Sequence, residues 1–276
     1  MNTVDAFRGR VALVTGASSG IGRALALRLA RQGMRVALVA RRRADLEAIA
    51  AEIAREGGEA CAFRCDVESA AEVAATARAA VERFGTVDLL VNNAGYGHHR
   101  AFLDWDLDDM ERMMRVNYLG TLRFTKALLP GMVARGRGSL VFVASVAGKI
   151  ATPDETAYSA SKFAMIGLAQ SLSLEVEDAG VHVLVVCPGV IRTPFFDEEA
   201  LSRMPPVSLR SMTDVEGLVD AIVDALARGK REVTYPRSIA AAYVVQAIAP
   251  GFMRRQVKRT TQAPQASAVP RPEVSP

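Results

Sequence analysis

Short apolar runs with strand character alternate along the chain with longer stretches of helical spacing, almost to the C-terminus. The predicted strands are residues 11–14, 36–40, 60–64, 89–92, 140–144, 181–187 and 232–235. The predicted helices are residues 23–31, 44–55, 70–83, 110–134, 159–177 and 215–227. This alternation is typical of an α/β, doubly wound domain with a parallel sheet between two layers of helices. We expect one such domain over residues 1–236, without an internal repeat.

Local signals at the start of the last predicted helix point to its first residue. Thr213 and Glu216 have the spacing of a capping box, in which the two side chains satisfy each other's backbone N–H groups. The pattern therefore predicts that Thr213 caps this helix.

A glycine-rich turn lies between the first predicted strand and the first predicted helix. Glycine permits a tight turn and the close approach of a pyrophosphate, and a helix N-terminus offers free N–H groups and a positive dipole end. Strand, glycine turn and helix in this order are the context of a dinucleotide site. The residues of the turn are Thr15, Gly16, Ala17, Ser18, Ser19, Gly20, Ile21 and Gly22.

The end of the second predicted strand indicates which dinucleotide binds. A site that prefers NAD usually ends this strand with an acid that bonds the ribose 2′-hydroxyl. Here the strand ends in Ala40, and Arg41, Arg42 and Arg43 follow. Guanidinium groups at this position would bind the 2′-phosphate of NADP(H) through charge-assisted hydrogen bonds. The sequence therefore favours NADP(H) through Arg41 and Arg42, whereas Arg43 fits a solvated helix start.

Tyr158 and Lys162 are the strongest candidates for chemistry. Residues four apart share one face of a helix, about 6 Å apart along its axis. A neighbouring cation favours the phenolate and so lowers the pKa of a tyrosine, which is about 10 when free. A phenol tuned in this way can exchange a proton near neutral pH. The pair alone would be weak evidence for catalysis, but the glycine turn upstream makes this interpretation stronger.

Polar and turn-forming residues follow the later predicted strands as well. In an open parallel sheet, ligands bind beyond the carboxyl ends of the strands, so these residues are expected around one site. They are Asp66 and Val67, then Asn92, Asn93, Ala94 and Gly95, then Ser145, and finally Pro188, Gly189, Val190, Ile191, Arg192 and Thr193.

Composition and charge exclude several classes of protein. Half of the residues are apolar, and the net charge of +4 arises mainly after residue 253, so a nucleic-acid partner is not indicated. The cysteines Cys61, Cys65 and Cys187 lack metal-ligand spacing and indicate reduced thiols. No apolar stretch is long enough to span a bilayer, and no signal segment begins the sequence. We expect a cytoplasmic protein.

Taken together, these motifs resemble those of the short-chain dehydrogenases/reductases over about residues 8–236. The resemblance implies a single Rossmann-type domain with seven parallel strands. It also implies homodimers or homotetramers formed largely through the helices at 110–134 and 159–177. The residues that carry it are Thr15, Gly16, Gly20 and Gly22, Asp66, Asn92 to Gly95, Asn117, Ser145, Tyr158 with Lys162, and Pro188, Gly189, Ile191 and Thr193.

The resemblance also implies the roles of the catalytic residues. Tyr158 would be the general acid in reduction and the base in oxidation, and Lys162 would bind the nicotinamide ribose and lower the pKa of Tyr158. Ser145 would hydrogen-bond the substrate oxygen, and Asn117 would hold a water that links Lys162 to solvent.

Further positions are implied for the cofactor. Asp66 and Val67 would flank the adenine, while Asn93, Ala94 and Gly95 would pack along the cofactor. The segment that contains Pro188 and Gly189 would bring Ile191 and Thr193 to the carboxamide.

Substrate specificity is expected in two loops. Residues 195–212 combine apolar and acidic side chains, which fits a lid over an apolar substrate or a plain surface connection. The loop after Gly95 carries His98 and His99, for which the spacing shows no further metal ligands, so no metal is predicted. Trp105 is expected to pack.

A second apolar segment lies beyond the predicted domain, at residues 238–249. Pro250 and Gly251 interrupt it, and a basic stretch with Arg254, Arg255, Lys258 and Arg259 follows. Residues 237–259 fit either a helix that covers the substrate pocket or contacts another subunit, which we favour, or a helix on a membrane surface. Residues 260–276 are expected to be a disordered tail.

The sequence thus predicts an NADP(H)-dependent oxidoreductase that acts on a small hydrophobic carbonyl or alcohol substrate. Two alternatives remain on the same fold, since fold alone does not fix function. One is a cofactor-binding sensor, and the other is a membrane-associated scaffold that acts through its C-terminal helix.

Overall fold

A computed structural model describes residues 7–195, 204 and 206–261. Its seven strands form one parallel sheet in the order β3-β2-β1-β4-β5-β6-β7, which confirms the predicted doubly wound class. The predicted strand ends are correct to within two residues. The strands are β1 Val11–Thr15, β2 Arg35–Ala40, β3 Ala60–Arg64, β4 Leu89–Asn92, β5 Gly138–Val143, β6 Val181–Pro188 and β7 Glu232–Tyr235.

Helices connect the strands and then extend beyond the last one. Three short 3₁₀ turns, Phe102–Asp104, Val146–Gly148 and Arg237–Ile239, lie between them. The helices are α1 Gly20–Arg31, α2 Arg43–Arg55, α3 Ala70–Phe84, α4 Leu107–Met114, α5 Gly120–Ala134, α6 Thr156–Val176, α7 Pro206–Arg210, α8 Val215–Ala227, α9 Ala240–Ile248 and α10 Pro250–Thr261.

The sheet is buried on both faces, as the continuous apolar runs of its strands require. Successive side chains of a strand point to opposite faces, so alternate residues of β1 join different cores. Ala12 and Val14 pack with α1, α2 and α8. Val11 and Leu13 pack with α3, α5 and α6. The two layers leave the carboxyl edge of the sheet as the place where loops meet.

The helix predicted at residues 110–134 is helical throughout but is interrupted by a π-helical turn. α4 ends at Met114, a π-helical turn spans Arg115–Leu119, and α5 begins at Gly120. Such turns insert one residue into a helix and often occur at functional sites. Here the turn contains Asn117, whose buried side chain bonds the backbone of Tyr96. Periodicity cannot reveal the extra residue, because the flanking helices keep their own spacing.

The predicted capping box at Thr213 is wrong. Asp214 is the N-cap residue of α8, and its side chain makes no capping hydrogen bond. The backbone of Thr213 instead pairs with residues 190–192: its N–H donates to Val190 O at 3.0 Å, and its carbonyl accepts from Arg192 N at 2.9 Å. This extended pairing places Thr213 before the helix and leaves its hydroxyl buried without a partner.

Residues beyond β7 form a 3₁₀ turn and the two helices α9 and α10. No helix in the described ranges is both long and apolar enough to cross a membrane. The predicted tail lies outside the described residues, apart from the last two residues of α10.

Candidate active site

The loops at the carboxyl edge of the sheet surround a cavity of about 380 Å³. Ligand sites in proteins have volumes of this order. Every residue predicted to bind the cofactor lines this cavity except Gly22. Of the predicted catalytic residues, Ser145, Tyr158 and Lys162 line it, and Asn117 does not. The structure therefore brings almost all of the predicted site together.

Thr15 joins the glycine turn to the loop after β4. Its buried hydroxyl donates to Val91 O at 3.1 Å and accepts from the N–H groups of Asn93 and Ala94, both at 3.0 Å. The Asn93 amide donates back to Thr15 O at 3.0 Å. These bonds use every polar direction of the hydroxyl. The ends of β1 and β4 are consequently fixed against each other.

Close backbone packing explains two of the glycines. Gly16 has φ +65°, and a Cβ atom there would lie 2.8 Å from Asn93 Nδ2. A Cβ atom on Gly22 would lie 2.3 Å from Gly16 O. Gly22 thus lets α1 pack directly behind the turn, which is why it supports the cavity without lining it.

The N-terminus of α1 is suited to an anion. Its N-cap residue Ser19 makes no side-chain capping bond, and the first turn contains no acidic residue. Free N–H groups and the positive end of the helix dipole remain at the cavity. The residues present therefore fit the pyrophosphate of a dinucleotide.

The arginines after β2 have different environments. Arg41 lines the cavity, and within the described part of the chain its side chain has no ion pair or hydrogen bond. Arg42 also lines the cavity, and its guanidinium bonds Ser18 Oγ at 3.0 Å and the Asp45 carboxylate. Arg43 pairs with Glu47 on the exposed face of α2. Arg41 and Arg42 thus form a cationic corner of the cavity beside the glycine turn.

Tyr158 and Lys162 occupy the first two turns of α6 and face the cavity together. Lys162 is only 4% exposed. Its Nζ donates to Val143 O at 2.9 Å and lies 5.6 Å from the centre of the Tyr158 ring. The end of β5 therefore orients the ammonium beside the phenol.

The pKa values of this pair move in directions set by burial. Burial raises the pKa of Tyr158 above its usual 10, Glu155 raises it further, and a hydrogen bond with Ser145 lowers it. Burial also lowers the pKa of Lys162 to about 8. The expected lowering of the Tyr158 pKa by Lys162 is thus not produced by the protein alone, because desolvation of the phenolate outweighs the favourable contacts.

Ser145 and the residues around the Tyr158 ring complete this end of the cavity. Ser145 caps the 3₁₀ turn Val146–Gly148, and its Oγ accepts from Ala147 N at 3.1 Å. The rings of Tyr158 and Phe195 lie 5.9 Å apart. A Cβ atom on Gly97 would lie 2.8 Å from the Tyr158 ring and 3.2 Å from Phe195. The Tyr158 ring is therefore held from two sides.

Asn117 acts on the site through a loop. Its Oδ1 accepts from Tyr96 N at 3.0 Å, and its Nδ2 donates to Tyr96 O at 2.9 Å and to Ser161 Oγ at 3.0 Å. A Cβ atom on Gly95 would lie 3.0 Å from Asn117 Oδ1 and 3.6 Å from Lys162 Nζ. The side chain thus clamps the loop that crosses above Lys162.

The two specificity loops are only partly described. Phe195 lines the cavity and Met204 is buried, whereas residues 196–203 and 205 of the predicted lid lie outside the described residues. His98 packs against the rings of Tyr96 and Trp105. His99 Nε2 lies 3.3 Å from a Glu155 carboxylate oxygen. Among the described residues, no cluster of His, Cys, Asp or Glu could hold a metal ion.

Sequence reasoning missed several residues of the cavity wall. Most of them are apolar and lie next to identified site residues at the same strand ends. Their position directly after a strand was the sequence signal that could have found them. They are Ala40, Cys65, Tyr96, Val116, Val143, Ala144 and Pro194.

Comparison with known proteins identifies the class that this fold and site define. The sequence model of the short chain dehydrogenase family matches residues 10–203. The chain therefore belongs to the short-chain dehydrogenase/reductase family and is an enzyme of this oxidoreductase family, whose members bind a nicotinamide cofactor. Oxidoreductase UcpA of Escherichia coli (strain K12) is 39% identical over 198 residues, which are 71% of this chain and 75% of that protein.

Two solved structures are similar over most of the chain. A short chain dehydrogenase/reductase from Burkholderia phymatum in complex with NAD has a TM-score of 0.82 at 28% identity, covering 90% of this chain and 96% of its own. A metagenomic short-chain oxidoreductase in complex with NADP has a TM-score of 0.71 at 32% identity, covering 83% and 97%. The likeness supports the fold and a nicotinamide cofactor of either kind.

The buried ammonium of Lys162 should reduce the stability of the protein. A pKa lowered from 10.5 to about 8 opposes folding by about 3 kcal/mol at neutral pH. Lys162→Met removes this penalty but leaves Val143 O without its donor, so we expect a net gain of about 1–2 kcal/mol in the free energy of unfolding. Thermal melting at pH 7 should show a rise in Tm of a few degrees.

The pH dependence of this gain is a further check. The folded-state pKa lies below the unfolded-state value, so the gain should be full below pH 8 and shrink towards pH 10.5, as the unfolded lysine also loses its proton. Lys126→Met, at an exposed position of α5, is the matched control and should change Tm little. A fall in Tm at pH 7 for Lys162→Met would show that the ammonium stabilises the fold.

Proposed function

We propose that this enzyme transfers hydride between NADP(H) and the carbonyl carbon of a lipophilic aldehyde or ketone, or the corresponding alcohol. Tyr158 exchanges the proton with the substrate oxygen. The observation that carries the proposal is that Ser145, Tyr158 and Lys162 line the same cavity as the glycine turn and the cationic corner. A protein that only sensed the cofactor would have no use for a phenol held at this place.

The bound nicotinamide supplies the hydride chemistry, and the chain positions the groups that handle the proton. Burial keeps Tyr158 protonated at neutral pH, which suits it to donate a proton to the oxygen of a carbonyl under reduction. Ser145 is close enough to hydrogen-bond Tyr158 and is placed to stabilise charge on the same substrate oxygen. A protonated Tyr158 is the form that carbonyl reduction requires.

Lys162 serves as the binding and electrostatic partner of Tyr158. Its pKa of about 8 leaves it mostly protonated at pH 7. The ammonium uses one donor on Val143 O and keeps two for ribose hydroxyls and a water. Asn117 fixes the loop above it, and we retain the proposal that a water near Asn117 links Lys162 to solvent.

The preference for NADP(H) rests on this chain's own residues, since the similar structures hold either cofactor. Arg41 and Arg42 line the cavity beside the glycine turn, at the end of a strand that lacks an acid. Arg42 is already bonded to Ser18 and Asp45. Arg41 is therefore the arginine with its donors available for a 2′-phosphate.

The character of the substrate follows from the wall next to Tyr158. Tyr96, Pro194 and Phe195 form this part of the cavity, and the rings of Phe195 and Tyr158 are in contact distance. Such a wall suits an apolar body attached to the reacting carbonyl. Assembly as a homodimer or homotetramer through α4, α5 and α6, and a cytoplasmic location, remain part of this proposal.

Replacing Tyr158 by Phe removes the hydroxyl and keeps the ring. Because proton transfer by a positioned group contributes about 10² to 10⁴ in rate, turnover should fall by at least about 100-fold while the Kd for NADPH changes little. NADPH oxidation is measured with a panel of lipophilic ketones and aldehydes, and NADPH binding by titration. Tyr118→Phe, in the π-helical turn, is the matched control. Undiminished turnover of Tyr158→Phe would exclude Tyr158 as the acid.

Replacing Arg41 by Ala tests the cofactor assignment. A charge-assisted hydrogen bond to the 2′-phosphate contributes about 1.5–3 kcal/mol, so the KM for NADPH should rise about 10- to 100-fold. The KM for NADH should stay within about 2-fold, because NADH carries no phosphate there. Arg43→Ala, which alters only the exposed pair with Glu47, serves as the control. Equal effects of Arg41→Ala on both cofactors would remove the phosphate contact.

A further inference from the structure

The C-terminal extension carries positive charge without any negative charge. Residues 237–261 contain five basic residues and no Asp or Glu. The intervening stretch 238–253 has no charged residue at all. The uncharged, mostly apolar stretch therefore covers α9 and the start of α10, and basic residues follow it in the rest of α10. The five basic residues are Arg237, Arg254, Arg255, Lys258 and Arg259.

α9 presents an apolar face to the outside. Ala241, Val244 and Ile248 lie three and four residues apart, which puts them on one side of the helix. Val244 is 57% exposed and Ile248 79% exposed, and no residue of α9 is fully buried. Phe252, at the start of α10, is 47% exposed. Exposed apolar surface concentrated in this way commonly marks a contact site.

Contacts on the inner side fix the direction of this face. The Tyr243 ring lies under Lys149 Nζ at 4.7 Å. Ile239 packs on Gly189, where a Cβ atom would lie 2.7 Å from Ile239 Cδ1. Gly189 N in turn donates to Tyr235 O at 2.8 Å. The extension is thus anchored behind the Pro188–Gly189 wall of the cavity, with Val244 and Ile248 turned away from the body.

This placement argues against the pocket-covering role favoured from the sequence. Among the described residues, none beyond Phe195 lines the cavity, so α9 and α10 buttress its wall from outside. The apolar face is therefore available to something other than the enzyme's own substrate pocket.

The cations of α10 point to what that partner is. Arg255 and Arg259 are four residues apart and exposed, as are Arg254 and Lys258. None of the four forms an ion pair with a described residue. A second copy of this segment would bring like charges together, whereas an anionic surface would neutralise them.

We propose that α9 and α10 bind the surface of a membrane that contains anionic phospholipid. The face formed by Ala241, Val244, Ile248 and Phe252 enters the boundary between headgroups and acyl chains. Arg255 and Arg259 lie on the Phe252 side of α10 and contact the lipid phosphates, while Arg254 and Lys258 add positive charge nearby. Helices with an apolar face and adjacent basic residues bind membranes in this way, and the attraction weakens as salt screens it. The contact requires no span and leaves the catalytic cavity in the aqueous phase.

Co-sedimentation of the full chain with vesicles tests this proposal. Vesicles of phosphatidylcholine mixed with phosphatidylserine should sediment the protein at low salt, and those of phosphatidylcholine alone should sediment at least about 10-fold less of it. Raising the salt concentration should release the bound protein. Failure to sediment with the anionic vesicles at low salt would overturn the proposal.

Two double variants separate the apolar from the electrostatic contribution. Val244→Ser with Ile248→Ser, and Arg255→Gln with Arg259→Gln, should each reduce sedimentation with anionic vesicles at least about 10-fold. Arg78→Gln with Arg137→Gln removes two exposed charges elsewhere and should sediment like the unchanged protein. If both extension variants bind vesicles as the unchanged protein does, the proposal is wrong.

The same samples distinguish a subunit contact from a membrane contact. Light scattering after gel filtration should give the same oligomeric state for all variants, and NADPH titration without vesicles should give the same affinity. A smaller oligomer for Val244→Ser with Ile248→Ser, without vesicle binding by the unchanged protein, would assign this face to another copy of the chain. Because vesicle binding requires no turnover, its outcome is independent of the proposed reaction.

Discussion

The hydrogen bonds of the Thr15 hydroxyl are the interaction on which the rest of the site depends. They join the end of β1 to Val91, Asn93 and Ala94 in and after β4. The glycine turn on one side and the loop over Lys162 on the other therefore keep one relative position. Gly16 and Gly22 permit this close packing, because a Cβ atom at either position would clash with backbone atoms of the neighbouring segment. The glycine turn and the residues around Tyr158 and Lys162 consequently border one cavity.

The buried ammonium of Lys162, in the part of the cavity proposed for catalysis, opposes the stability of the fold. Lys162 is an almost completely buried cation with a lowered pKa, and Tyr158 is a phenol whose anion is disfavoured by its surroundings. Sites of this kind persist when the surrounding structure holds them and function requires them. Here the backbone of β5 binds the ammonium, while Gly97 and Phe195 hold the phenol ring. The unfavourable burial is confined to α6 and the loops that contact it.

Sequence reasoning identified the seven strands and nearly the whole cavity because both follow from local signals. A buried parallel strand is a short apolar run, and its carboxyl end carries the polar residues of the site. The π-helical turn around Asn117 escaped it, because that turn depends on long-range bonds to Tyr96 and Ser161. Thr213 was misassigned for the same reason, since pairing with residues 190–192 overrides its capping tendency. The direction in which the pKa of Tyr158 shifts depends on desolvation, which the spacing of residues in the sequence does not reveal.

A crystal structure of the complex with NADP⁺ is the most direct test of the proposal that one cavity holds both the dinucleotide and the phenol of Tyr158. We expect the pyrophosphate at the N-terminus of α1 and the 2′-phosphate at Arg41. We also expect the nicotinamide ring between Thr193 and the hydroxyl of Tyr158. A dinucleotide bound elsewhere on the chain, or a nicotinamide ring out of reach of the Tyr158 hydroxyl, would contradict it.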